Sequence, residues 1–86
     1  MSDLETDSAR ADHASRLLND ELLNEAFETL HARFNEAWIS SPSRDVEGRE
    51  VLWLSQKLLT QIRAHLISVL ETGQMAEIEM SRRGLR

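Results

Sequence analysis

The chain has 86 residues, no cysteine and a formal net charge of -5, with 41% hydrophobic and 29% charged residues. That is one small domain with room for only a modest core; without cysteine it has no disulfide staple, no thiolate metal site and no thiol nucleophile. Residues 1–40 hold nine acids against three arginines and residues 41–86 six acids against seven bases, and the acidic front half, which repels phosphate backbones, speaks against general nucleic-acid binding.

The opening "MSDLETDSARADHASRLL" has neither a basic nor an apolar leader-like stretch. No window approaches the roughly 18 consecutive apolar residues of a spanning helix, so the expectation is a soluble intracellular chain without membrane contact. Residues 1–15 carry no stripe of large apolar side chains and read as a flexible acidic segment. The ordered hairpin domain is expected over 16–73. Asn19 or Asp20 is a suitable N-cap, and Leu23, Phe27, Leu30, Phe34, Ala37 and Trp38 recur at steps of three and four, which predicts a first helix from about 20 to 39. Glu21, Glu25, Glu28, Arg33 and Glu36 take its opposite side.

Pro42 forces the residue before it out of helical angles and suits the start of a new helix, so "SSPSRDVEGREVLW", residues 40–53, reads as a corner between two helices. Gly48 costs about 1 kcal/mol against Ala inside a helix, which suggests that a backbone or large side chain, such as a tryptophan, approaches there. The second helix is predicted from about 45 to 72. Leu52, Leu59, Ile62, Leu66 and Val69 form its seam, widened by Val51, Leu54, Leu58 and Leu70, with Gly73 as the left-handed residue past its end. Residues 74–86 are expected as a short helical or disordered basic tail. The fold class is all-α: a hairpin of two amphipathic helices whose uncovered apolar surface is completed as a bundle by oligomerisation, with a dimer favoured.

No motif of known chemistry emerges. His13, His31 and His65 lack any metal-ligand spacing, and Ser40, Ser41 and Ser43 sit in no nucleophile elbow or phosphate loop, so the reading gives no catalytic residue, no metal ligand and no cofactor. An antiparallel hairpin would bring His31 and His65 within a few turns of each other, a weak cue for a metal. Trp38 and Trp53 flank the corner and read either as an aromatic plug closing the core or, with Arg44 and Arg49 beside them, as an interface anchor. The two arginines have Asp45, Glu50 and Glu36 as possible ion-pair partners. Arg82, Arg83 and Arg86 in the closing "SRRGLR" are weak candidates for phosphate contact, against an ordinary solvated terminus.

The order "AFETL", "EAW", "SPSRDVEGREVLWL", "KLL", "RAHL" and "ETGQMAE", spread over residues 22 to 79, resembles a group of very short proteins of tailed bacteriophages and prophages. That resemblance implies a virion-morphogenesis or packaging context in the cytoplasm of a bacterial host, with incorporation into the virion left open, and it assigns no residue roles. The expected function is therefore a non-enzymatic interaction or structural protein of virion assembly, whose corner could engage a larger capsid, portal or packaging protein. The alternatives are a nucleic-acid-binding packaging or regulatory component and an inhibitor of a host defence or polymerase protein.

Overall fold

The computed structural model describes residues 2–84, and every regular element among them is helical: α1 (Ser2–Leu18), α2 (Glu21–Ser40) and α3 (Val46–Arg82). The chain divides into two compact units, one built from Glu21–Arg63 and the other from the residues up to Asp20 together with those from Ala64 onward. α3 contributes its first half to one unit and its second half to the other.

In the first of these units, α2 and the beginning of α3 run antiparallel, because Asn24 meets Arg63 at one end and Trp38 meets Arg49 at the other. Phe27 is the buried large side chain. Leu23, Phe34, Leu52 and Leu59 are half-buried within the unit. Both helices begin within a residue of their expected positions. α2 closes where the Ser41 hydroxyl donates to the Trp38 carbonyl at 2.7 Å, directly before Pro42. α3 opens on Asp45, whose Oδ1 accepts the Gly48 N–H at 3.1 Å as a helix cap. The close neighbour anticipated at Gly48 is thus this carboxylate and not a tryptophan: a Cβ on residue 48 would overlap the Asp45 side chain.

The other unit departs from expectation twice. Residues 1–15 are anticipated as a flexible segment, yet all of those described lie in the 17-residue helix α1 (Ser2–Leu18). Its inward side carries alanines: Ala11 and Ala14 are buried in α1, and Gly73, Ala76 and Met80 are buried in α3. Ser8 Oγ donates to Glu77 Oε1 at 2.7 Å, while Ala11 lies against Gly73, so α1 and this part of α3 also run antiparallel. The second departure is Gly73 itself. It does not end the helix, which continues to Arg82, so residues 74–82 belong to the same helix and not to a separate tail. A Cβ at 73 would overlap the Ala11 methyl and stand 2.6 Å from the Asp7 carbonyl oxygen, so glycine here permits close backbone approach and does not terminate the helix. The left-handed residue past the helix end is Gly84, with φ of 71°.

Asn19 finishes α1, its side-chain amide donating to the Ser15 carbonyl at 2.8 Å.

Candidate interaction surface

The corner between α2 and α3 is held by Arg49. Its Nη1 donates to the Trp38 carbonyl at 3.1 Å, to the Ser41 carbonyl at 3.3 Å and to Ser41 Oγ at 2.8 Å, and its Cζ lies 4.0 Å from the centroid of the Trp38 ring. A planar guanidinium suits this role because it satisfies the carbonyls left over at the end of α2 while stacking on an aromatic face. None of the anticipated carboxylate pairs of Arg49 forms among the described residues; the ion pairs there join Glu79 to Arg82 and Arg83. Arg44 is exposed on the connector.

The tryptophans do not plug a core. Trp38 is 37% exposed and Trp53 53% exposed. Trp53 lies a turn and more along α3 from the corner, with Lys57 Nζ 5.2 Å from its ring centroid. It shares a shallow groove with His31, Gln56, Lys57 and Thr60. Of the four candidate corner residues, Trp38 and Arg49 are therefore brought into one cluster, Trp53 stands beside His31, and Arg44 stands apart.

The predicted α3 seam also divides. Leu52 and Leu59 are half-buried within the α2-containing unit, Leu66 and Val69 within the α1-containing unit, and Ile62 is exposed. The bare surface is an adjacent stripe of large side chains, Val51, Leu54, Leu58 and Ile62, exposed by 61%, 46%, 59% and 53%. Their steps of three, four and four residues place them on one helical face. On α2, Leu22 and Leu30 border a further shallow groove with Ala26 and Arg33. The helical period puts Ile62 in the seam and Val51, Leu54 and Leu58 in its widening; the burial pattern separates the residues used within the chain from those left over.

His13 and His65 line one cleft of about 150 Å³ with Arg10, Leu17 and Val69, while His31 lies in the other unit. Among the described residues no three metal-ligating side chains converge. Two further hollows are grooves lined along a single helix each: 410 Å³ beside α2, and 560 Å³ along α3 between Gln74 and Ser81. Arg82 and Arg83 are engaged by Glu79 at 3.5 and 3.0 Å. That partly neutralises the weak phosphate-contact candidates, and Arg86 lies outside the described residues. Among the described residues no helix is long and apolar enough to cross a membrane.

No protein-family model, curated protein or solved structure matches the chain.

Proposed function

We propose that this protein is a non-enzymatic interaction component that works through an apolar helical surface, and that its setting is phage virion assembly. In this reading α2 and the first half of α3 form a helical hairpin, association with another helical surface completes a bundle, and the Trp38–Arg49 cluster with Trp53 and Arg44 supplies a second contact for a larger assembly protein. One observation carries the interaction reading: the α2-containing unit buries Phe27, yet leaves Leu22, Ile39, Val51, Leu54, Leu58 and Ile62 exposed. Of these, Val51, Leu54, Leu58 and Ile62 share one face of α3, and exposed apolar side chains gathered in this way mark an interaction surface.

The virion setting rests on the sequence resemblance of residues 22 to 79. Its test is gradient sedimentation of the tagged protein from cells assembling virions and from cells blocked in capsid formation. Co-migration with capsid, portal or tail intermediates in the first and loss of that fast fraction in the second are expected. A protein found in the slow fractions of both would sink the assembly role.

A further inference from the structure

We infer that the cleft between α1 and the second half of α3 binds a single phosphate group, held by Arg10 and His13 of α1 and His65 of α3. The inference uses none of the residues of the interaction surface and goes beyond that reading. Two hollows of about 150 and 180 Å³ share Arg10, His65 and Val69 as walls, so they form one continuous cleft within the α1-containing unit. Helical spacing builds it. Arg10, Ala14 and Leu17 recur at steps of four and three on α1, and His65, Val69 and Thr72 do the same on α3, so each helix turns one face to the cleft. Ala14 is buried and Leu17 and Val69 are half-buried, which makes an apolar floor, while Arg10, His13 and His65 stand exposed around it.

Three observations select an oxyanion. The first is donor chemistry. A guanidinium and two imidazoles converge, each imidazole has an N–H to offer in either protonation state, and the Ser68 and Thr72 hydroxyls border the same cleft. The second is availability: among the described residues, none of Arg10, His13 and His65 makes a hydrogen bond or an ion pair, the ion pairs there being those of Glu79. The third is size, because hollows of 150 and 180 Å³ fall below the roughly 300–1,000 Å³ of a pocket that encloses a whole small molecule. A phosphate presents three acceptor oxygens to the three side chains, and Arg binds it through a planar fork. A metal cation would instead meet the Arg10 charge, and no three ligating side chains converge among the described residues. Asp7 is the one acid in the wall, at the end lined by Ser68 and Thr72.

The ring signals of the three histidines in nuclear magnetic resonance test the site on the full chain, at fixed pH and ionic strength. With inorganic phosphate the His13 and His65 signals are expected to move together and saturate, while His31, which belongs to the other unit, stays in place. Arg10→Gln is expected to weaken binding about 10- to 100-fold, the worth of a charge-assisted hydrogen bond. Its helicity should not change, since Arg10 is exposed; His65→Gln gives the same readout should Arg10→Gln lose helicity. Asp7→Asn removes the one like charge and is expected to tighten binding by up to about fivefold. Glycerol 3-phosphate separates the two sources of the group: binding equal to or tighter than inorganic phosphate assigns the terminal phosphate of a small molecule, and weaker binding assigns the free ion.

Failure of His13 and His65 to saturate with either compound, equal movement of all three histidines, or an unchanged affinity in both Arg10→Gln and His65→Gln would overturn the inference. So would weaker binding by Asp7→Asn, or saturation with Zn²⁺ but not with phosphate, since either result marks a cation site.

Discussion

Gly73→Ala sets two effects of opposite sign against each other. In an exposed helix interior the exchange stabilises by about 1 kcal/mol, because alanine loses less backbone entropy and covers more of the helix. At position 73 the added methyl would overlap Ala11 and sit 2.6 Å from the Asp7 carbonyl oxygen and 3.3 Å from the Ala11 Cα. Two of those neighbours are α1 backbone, which has no rotamer with which to yield, so the helices must separate and loosen the burial of Ala11, Ala14 and Ala76. Overpacking of this kind costs about 1–3 kcal/mol, and the expected net loss is about 1 kcal/mol after the propensity gain. For a domain of this size that lowers the unfolding midpoint by about 4–8 °C, measured by thermal melting followed through helical circular dichroism at fixed chain concentration. Ala11→Gly removes one of the colliding groups, so Gly73→Ala is expected to cost less in that background, with a coupling of about 0.5–1 kcal/mol. A Gly73→Ala variant that melts higher than the parent would refute the α1–α3 packing.

Four further outcomes concern the α2–α3 unit and the tail. Asp45→Ala is expected to cost about 1 kcal/mol by stripping the cap from the Gly48 N–H, and Asp45→Asn to restore most of it; urea unfolding midpoints read both. Arg49→Ala should cost about 1–2 kcal/mol through the lost hydrogen bonds and ring contact with Trp38. Arg49→Lys should recover little of that, since an ammonium cannot both stack and bridge, and Trp38 fluorescence would report the change. Leu59→Asp puts a charge at a half-buried position and is expected to destabilise by more than 2 kcal/mol. Leu58→Asp, its exposed neighbour, is expected to leave the helicity of the single chain intact. Neutralising Arg82 or Arg83 should shift stability by a few tenths of a kcal/mol at most, because their pairs with Glu79 are solvent-exposed.

The parts of the fold legible in the sequence are those written in large apolar residues. Leu23, Phe27 and Phe34 mark α2, and Leu52 and Leu59 mark the start of α3, with Pro42 and Asp45 punctuating between them. What was not legible is the packing of α1, because its inward residues are Ala11 and Ala14, whose methyls give almost no periodic contrast against the surrounding Ser, Asp and Ala. A signal did exist: small residues three apart at 11 and 14 match small residues three apart at 73 and 76, the pattern of two helices in close approach. Its meaning depends on which helices meet, and a lone strand of sequence does not state that. Gly73 was misread for the same reason, since glycine serves both as a helix terminator and as a notch, and only Ala11 opposite it decides between them. At the candidate surface, period alone placed Leu58 and Leu59 on one broad apolar face; the position of α2 half-buries Leu59 and leaves Leu58 bare. Arg49 was expected among carboxylates, but the uncapped carbonyls at the end of α2 claimed it.

The most direct test of a self-associating, protein-binding helical component is solution mass by light scattering over a dilution series, with and without mixed-length DNA at low salt. The account predicts a mass of twice the 9.9 kDa chain that persists on dilution and ignores DNA. A mass of one chain throughout, or one that rises only when DNA is added, would contradict it.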